Sequence, residues 1–249
     1  MSTARKQDFT VLNYTVLESL GEGGMGAVYR GVHEKLGQEV AIKIMDPLLA
    51  KNPDLRERFL SEARIQVHLR HPGIVQLLNA DFDGDQVCLI LELVRGLSLD
   101  HVLAKRGYLP VDEALKIFTQ VLSALGYAHK RNVVHRDIKP SNLIIEADGT
   151  TRITDFGIAK VLGDIRLTKT GTAMGSAAYM SPEQVLGKKD IDHRSDIYSL
   201  GVTFFEILTG SLPFGGKKSD TENDFLIKKA HVEQSPPDVS SIRAESRPN

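Results

Sequence analysis

The loop from His135 to Asn142 contains the side chains of this sequence that are best suited to chemistry. Short apolar runs lie on both sides of it, so the loop is predicted to be held to a hydrophobic core at both ends. Held in this way, Asp137 could accept a proton from a hydroxyl, Lys139 could neutralise a phosphate, and Asn142 could ligate a divalent cation. A surface loop with scattered charges is the alternative interpretation.

A second motif is rich in glycine. Residues 21–28 fit the pattern G-x-G-x-x-G-x-V, and residues 27–32 then alternate as a strand does. We therefore predict a β-hairpin whose glycines let backbone N–H groups approach an anion without obstruction by a Cβ. A merely flexible hairpin tip is the alternative. A dinucleotide-binding oxidoreductase is disfavoured, because its glycines would have to open a helix.

A lysine in an apolar strand and a glutamate on an apolar helix face are predicted to form an ion pair. Lys43 lies in the largely apolar segment 39–45, where an unpaired ammonium would cost several kcal/mol. Residues 52–69 are predicted to form a helix with Glu62 in the middle of its apolar face. A solvated Glu62 on the edge of that helix is the alternative.

Further along the chain the periodicity becomes mainly helical, with a long amphipathic helix predicted over 111–129. His129 at its end is interpreted as a C-terminal cap rather than a ligand. Two short strands, 143–146 and 152–154, lead to Asp155, which could face a cation or simply form a turn. A helix is predicted near 223–232, and no periodic pattern is found after residue 234.

Composition is that of a globular protein with an ordinary hydrophobic core: 249 residues, 41% hydrophobic, with a net charge of −1. Because positive and negative charges nearly balance, the chain as a whole has no positive field that would attract nucleic acid or an anionic membrane. The single cysteine, Cys88, lies in an apolar run and is predicted to be a buried small hydrophobe in a reducing compartment. No run approaches the roughly 18 apolar residues of a membrane span, so a cytoplasmic location is expected.

In this order, the motifs resemble those of the protein kinase family. The resemblance covers about residues 14–214 and includes the glycine-rich loop, Val-Ala-Ile-Lys, the helix glutamate, His-Arg-Asp…Asn, Asp-Phe-Gly, and Ser-Pro-Glu in place of Ala-Pro-Glu. Lys-Pro-Ser-Asn at 139–142 resembles the serine/threonine branch. Gly-Gly-Met-Gly-Ala-Val-Tyr and Met-Ser-Pro-Glu-Gln resemble the bacterial, eukaryotic-like (Hanks-type) kinases.

The resemblance implies an α+β, two-lobed kinase fold. The N-lobe, 14–94, would be a five-stranded antiparallel sheet with one helix, and the C-lobe, 95–249, would be mainly α-helical. Residues 1–13 are expected to be disordered. The last helices of the family's C-lobe are expected to be missing, together with the arginine that pairs with a glutamate at the position of Glu183. Gln66 also departs from the family, because its position is usually apolar, and an amide there could loosen the docking of its helix.

The same resemblance implies an ATP- and Mg²⁺-dependent, non-specific serine/threonine protein kinase. Asp137 would accept the substrate hydroxyl proton, Lys139 would offset charge on the transferring phosphoryl, and Asn142 and Asp155 would hold two Mg²⁺ ions. Adenine would lie against Val28, Ala41 and Ile144, and Leu91 would be the gatekeeper. The complete set of implied ATP-binding residues is Leu20, Gly21, Glu22, Gly23, Gly24, Met25, Gly26, Val28, Ala41, Lys43, Glu62, Glu92, Val94 and Ile144.

Regulation is implied by the long loop 160–178. Arg136 beside the catalytic carboxylate would be neutralised by an incoming phosphate on Thr168 or Thr170, with Thr172 less favoured. Ser176 would line the substrate site. The implied partners are ATP, proteins with Ser or Thr hydroxyls, and a second copy of the chain for trans-autophosphorylation, while the parent chain could be membrane-anchored. A truncated, catalytically silent domain that binds nucleotide or a partner is the alternative function.

Overall fold

The computed structural model describes residues 9–23, 26–45, 53–156, 177–215 and 224–245. The chain divides into two compact units, Met1–Arg95 and Gly96–Asn249. Within the described ranges the first unit contains a sheet and a helix, and the second is mainly helical. No helix in these ranges is long and apolar enough to cross a membrane.

The sheet of the first unit has six antiparallel strands in the order β1-β2-β3-β4-β6-β5. Its inner strands are rich in β-branched and aliphatic residues, which favour a pleated, buried surface. Alternate residues of neighbouring strands form one hydrophobic core that includes Cys88, which is fully buried as predicted. The strands are β1 (Phe9–Val11), β2 (Tyr14–Gly23), β3 (Gly26–His33), β4 (Glu39–Met45), β5 (Leu77–Asp83) and β6 (Gln86–Glu92).

Strand β1 corrects two expectations, disorder throughout residues 1–13 and a sheet of only five strands. Val11 is buried in the core of the sheet, and the ring of Phe9 meets Tyr29 edge-on with centroids 5.9 Å apart. A two-residue turn then brings the chain back, because Val11 pairs directly with Tyr14. Two apolar side chains in three residues are sufficient to hold this edge strand. Residues 1–8 lie outside the described ranges.

The glycine-rich segment forms the predicted hairpin between β2 and β3, with Gly23 paired to Gly26. Gly24 and Met25, at its tip, lie outside the described residues. Gly26 has φ +130°, and a Cβ there would overlap the Ile44 carbonyl oxygen and lie 2.9 Å from the Met45 Cα. Only glycine satisfies both the backbone angle and the close approach of the neighbouring strand.

We expect Gly26→Ala to destabilise the protein by about 3 kcal/mol, because the added methyl must displace the backbone of β4. Gly37→Ala is the matched control, since Gly37 also has a positive φ (+65°) but has no atom near its would-be Cβ. Its cost should be only about 1 kcal/mol. Urea unfolding followed by circular dichroism measures both, and equal losses for the two variants would contradict this account of Gly26.

The helix of the first unit, α1 (Pro53–Gln66), packs on β5. Phe59 is buried on its inner face, with its ring 5.9 Å from that of Phe82, and Gln66 is buried on the same face. Gln66 makes a polar interaction and is therefore not an unsatisfied amide. The helix ends three residues before the predicted end at Leu69, which is itself buried.

The sequence alone predicts a strand over residues 74–80, but strand β5 begins three residues later, at Leu77. Ile74 and Val75 are buried, but they lie in a turn and the bridge that follows it. Within β5 half-buried positions alternate with the exposed Asp81 and Asp83, so the strand continues through two acidic residues. The turn from β5 to β6 has only two residues, of which Gly84 adopts φ +58°.

The second unit is organised around two long helices that pack against each other, α3 and α5. Their contact includes the rings of Phe118 and Phe204, whose centroids are 4.4 Å apart. The helices are α2 (Leu99–Arg106), α3 (Val111–His129), α4 (Pro182–Val185), α5 (His193–Thr209), α6 (Asp224–Glu233) and α7 (Val239–Glu245). Two 3-10 turns, Pro140–Asn142 and Ala177–Tyr179, and a sheet of β7 (Gly96–Ser98), β8 (Leu143–Glu146) and β9 (Thr151–Ile153) complete it.

Helix α7 contradicts the expectation that no helix follows residue 234. The Asp238 side chain accepts hydrogen bonds of 2.8 Å from the backbone N–H and the hydroxyl of Ser240, and these bonds lower the pKa of Asp238. This is an N-terminal cap, and the helix that it starts contacts α5. Helix α6, in contrast, lies where the sequence predicts a helix.

Candidate catalytic site

The loop 135–142 is held to the core at both ends, as predicted. Ile138 inside it and Leu143 directly after it are completely buried. Pro140 opens the 3-10 turn Pro140–Asn142, where its fixed φ suits the first position of a helical turn. Apolar side chains therefore alternate with the polar ones, so the polar groups lie on a rigid support.

Two predicted residues, Lys139 and Asn142, converge on the carboxylate of a third, Asp137. The Lys139 ammonium lies 2.7 Å from Asp137 Oδ2, and the Asn142 amide donates to the same oxygen at 3.2 Å and to the Asp137 carbonyl at 2.7 Å. The side chains of Asp137 and Lys139 retain 14% and 16% exposure, so the cluster can be reached from outside. Because Oδ2 is bound by Lys139 and Asn142, the Asp137 side chain has a fixed orientation.

His135 joins this loop to the strand that precedes Asp155. Its Nδ1 accepts from the Asp137 N–H at 3.2 Å, so its proton is assigned to Nε2, which donates to the Thr154 carbonyl at 2.8 Å. The ring also meets Phe156 edge-on at 4.6 Å. Thr154 N–H donates to the Asn142 carbonyl at 3.0 Å. Asp155, with φ +64°, therefore directly follows a residue that is hydrogen-bonded to the loop 135–142.

The fully buried carboxylate of Asp196, on α5, holds the loop 135–142 by hydrogen bonds to its backbone. It accepts the backbone N–H of His135 at 2.8 Å and that of Arg136 at 2.7 Å, and His129 Nε2 lies 2.7 Å from it. Arg136 has φ +69°, a conformation that costs about 1–3 kcal/mol in a residue with a side chain. The bonds to Asp196 hold Arg136 in that conformation.

The side chain and carbonyl of Arg136 face the segment after the 3-10 turn Ala177–Tyr179. Its guanidinium Nη2 donates to the Ile191 carbonyl at 3.4 Å, while Nε is buried without a hydrogen-bond partner among the described residues. Its carbonyl accepts from the Gln184 amide at 2.7 Å. Gln184 also accepts from the N–H of Ser181 in a capping box that starts α4.

Glu183, whose partner arginine is expected to be missing, instead accepts a hydrogen bond from the Ser195 hydroxyl. Burial raises the pKa of Glu183, but hydrogen bonds from Ser195, from its own backbone and from Ser181 lower it by more. The net shift of this pKa is downward, so Glu183 stays ionised in the fold.

Comparison with known proteins decides the family. The sequence profile of the protein kinase domain matches residues 14–247. This chain belongs to the protein kinase family. Serine/threonine-protein kinase PknA of Mycobacterium tuberculosis is 38% identical over 229 residues, which are 90% of this chain and 52% of that protein. Probable serine/threonine-protein kinase PknB of Lactococcus lactis is 36% identical over 233 residues, 93% of this chain and 36% of that protein.

A solved structure agrees with the fold. The kinase domain of Mycobacterium tuberculosis PknI superposes with a TM-score of 0.74 at 29% identity, covering 96% of this chain and 85% of that one. The predicted α+β kinase fold and the predicted Hanks-type serine/threonine class are therefore confirmed. The chain spans 36% and 52% of the lengths of the PknB and PknA relatives.

The first unit of the kinase carries most of the predicted ATP-binding residues. Lys43 is buried on β4, opposite Val28 on one neighbouring strand and Leu89 on the other. Glu62 is half-buried on α1, and both Lys43 and Glu62 make polar interactions. Their pairing with each other stays a prediction. Leu20, Gly21, Glu22 and Gly23 lie on β2, Gly26 and Val28 on β3, Ala41 on β4, Glu92 at the end of β6, and Val94 just after it.

The second unit carries the remaining predicted site residues. It brings Asp137, Lys139 and Asn142 together, and it places Ile144 on β8 between Ser98 and Arg152 of the adjacent strands. Thr168 and Thr170, the two threonines predicted to be regulatory, lie outside the described residues, as do Thr172 and Ser176.

The sequence analysis did not identify Asp196, which holds the loop 135–142, or His129 as its neighbour. The interpretation of His129 as a helix cap is wrong, because its ring reaches Asp196 instead. A signal existed. Asp196 lies at helical spacing from Leu200 and Thr203, both buried, so it is a carboxylate on an apolar helix face. The same reasoning singled out Glu62.

Proposed function

We propose that this kinase transfers the γ-phosphate of ATP to Ser and Thr hydroxyls of proteins, with Asp137 accepting the hydroxyl proton. The observation that carries the proposal is the cluster of Asp137, Lys139 and Asn142 within 2.7–3.2 Å on a rigid loop. Hydrogen bonds to Oδ2 orient the carboxylate, so its other oxygen is the one offered to a hydroxyl. Lys139 then supplies positive charge where negative charge develops on the transferring group.

Asn142 and Asp155 fit the two Mg²⁺ ions that the family implies. The amide nitrogen of Asn142 is used by Asp137, so its amide oxygen is the atom offered to a cation. Together with the Asp155 carboxylate this makes a set of hard oxygen donors, which Mg²⁺ prefers. Mg²⁺ held by Asn142 and Asp155 would supply positive charge to offset the negative charge of the phosphate groups.

ATP recognition is assigned to the remaining predicted residues. Backbone N–H groups of the glycine-rich hairpin, including that of Gly26, would contact phosphates, and Lys43 would contact the α- and β-phosphates while Glu62 holds it. Val28, Ala41 and Ile144 would flank the adenine. The Glu92 N–H already donates to the Gln76 carbonyl at 2.9 Å, so its carbonyl and the backbone of Val94 are the groups proposed to bind adenine.

Activation is proposed to follow autophosphorylation, with a second copy of the chain as the phosphorylating partner. A phosphate on Thr168 or Thr170 would supply acceptor oxygens for the buried Nε of Arg136. After incubation with ATP and Mg²⁺, mass spectrometry should find these threonines modified. The Asp137→Asn variant is the control and should stay unmodified. An active preparation with both threonines unmodified would contradict the mechanism.

The proposed activity is tested by transfer of radiolabelled phosphate to myelin basic protein. Label should appear from [γ-³²P]ATP and not from [α-³²P]ATP, and acid hydrolysis should return phosphoserine and phosphothreonine. If the wild-type chain and Asp137→Asn gave the same signal, a silent nucleotide- or partner-binding domain would be the better description.

A further inference from the structure

A buried histidine of the second unit has no role in the proposed chemistry. His231 on α6 is 3% exposed, and its Nδ1 lies 2.8 Å from the hydroxyl of Tyr198 on α5. Its ring also meets those of Tyr198 and Phe214 edge-on, with centroids 5.7 Å and 4.9 Å away. The imidazole is therefore packed against two aromatic rings and fixed by one hydrogen bond.

Burial favours the uncharged form of the His231 ring. With Tyr198 as the donor to Nδ1, the ring proton is assigned to Nε2. Burial lowers the pKa of His231, which the nearby backbone of Ala178 only partly offsets. Within the described residues Nε2 is buried and makes no hydrogen bond of good geometry, so the contact with the Ala178 backbone is a weak one. A polar ring held in this way costs more to bury than an aliphatic side chain would.

The ring lies beside the 3-10 turn Ala177–Tyr179, which α6 contacts directly. All three residues of this turn are buried. The Tyr179 hydroxyl donates to Glu206 at 2.5 Å, and the Tyr179 carbonyl accepts from the Ser199 hydroxyl at 2.7 Å. The turn is therefore fixed from α5 through Tyr179 and bordered on the α6 side by His231.

The same turn is connected to the catalytic loop. Two residues after it Ser181 starts the capping box of α4, whose Gln184 donates to the Arg136 carbonyl at 2.7 Å. Arg136 directly precedes Asp137. Hydrogen bonds therefore connect the segment after this turn, through Ser181 and Gln184, to the residue beside Asp137.

We propose that His231 and Tyr198 are positioning residues for the protein substrate, which fix the turn Ala177–Tyr179 against α6. The inference rests on the proposed kinase function. Substitutions of this pair are expected to change the KM for the protein substrate and to leave the KM for ATP unchanged. The hydrogen bond between the pair fixes the rotation of the imidazole, and the imidazole fixes the distance from α6 to the turn.

The test is steady-state kinetics with myelin basic protein and ATP varied separately. His231→Leu removes both ring nitrogens, whereas Tyr198→Phe removes only the hydroxyl and keeps the aromatic packing. Each should raise the KM for protein about tenfold with a smaller change in kcat. The double variant should be no worse than either single variant, because both remove one shared hydrogen bond. His231→Gln keeps an acceptor for Tyr198 and should recover most of the loss.

Lys229→Ala is the matched control, because Lys229 lies on the same helix with its side chain 54% exposed. It should leave both KM values unchanged. If Tyr198→Phe and His231→Leu lowered the melting temperature without raising the KM for protein, the pair would be ordinary core and the inference would be overturned. Should His231→Leu not fold, Tyr198→Phe alone decides the outcome. A wild-type chain that transfers no phosphate overturns the proposed function itself, and this inference with it.

Discussion

Asp137→Asn is expected to lower kcat for phosphoryl transfer by about 10³-fold while changing the KM for ATP by no more than about twofold. Asparagine has nearly the shape of aspartate, and its oxygen can still accept from Lys139. It lacks the negative charge, however, and it cannot take up the proton of the substrate hydroxyl. The loss therefore falls on the chemical step, and nucleotide binding is spared.

Asp148→Asn is the control for this experiment. Asp148 is an exposed carboxylate in the turn between β8 and β9, where it accepts from the Thr150 N–H at 2.8 Å. An asparagine oxygen can accept the same bond, so its kcat should equal that of the wild type. Stopped assays with labelled ATP at saturating protein substrate measure both variants. If Asp137→Asn retained more than about a tenth of the wild-type kcat, the role given to Asp137 would be wrong.

Asp196→Ala is expected to cost about 3–5 kcal/mol of folding free energy and to abolish measurable transfer. The alanine variant leaves the N–H groups of His135 and Arg136, and the ring of His129, without their buried acceptor. The positive φ of Arg136 then also loses the contacts that maintain it. A large effect on activity is expected even at temperatures where the variant is folded.

Asp192→Ala is the control on the same helix. Asp192 caps the N-terminus of α5 by accepting from the Arg194 N–H at 2.9 Å, and Arg194 lowers the pKa of this carboxyl to about 2. Loss of an exposed cap costs about 1 kcal/mol. Chemical denaturation of both variants, with transfer measured below the unfolding transition, separates stability from activity. If the Asp196→Ala variant were as stable as the Asp192→Ala variant, the role of Asp196 in anchoring the loop 135–142 would be refuted.

Features that depend on local sequence could be predicted. The pairing of Gly23 with Gly26 follows from glycine spacing and from the alternation that comes after it. Strand β8 and helix α3 have the predicted bounds, because each is a strongly periodic segment with clear breaks at its ends. The convergence of Asp137, Lys139 and Asn142 follows from their closeness along the chain.

Features that depend on distant residues could not be predicted in the same way. His129 and Asp196 are 67 residues apart, and neither segment contains a local sign of the other. Strand β1 was missed because three residues are too few to show periodicity, although Val11 fits the core. Helix α7 was missed because its apolar face is weak, although Asp238 is an ordinary capping residue for its start.

The central claim is that the loop 135–142 performs phosphoryl transfer in this chain, and a single-turnover experiment tests it most directly. The wild-type protein is mixed in excess with [γ-³²P]ATP, Mg²⁺ and myelin basic protein, and the reaction is quenched at successive times. The label should pass from ATP to Ser and Thr of protein in one exponential phase that Asp137→Asn lacks. The claim would be contradicted if equilibrium dialysis of the same mixture showed that ATP is fully bound while the label stays on ATP throughout.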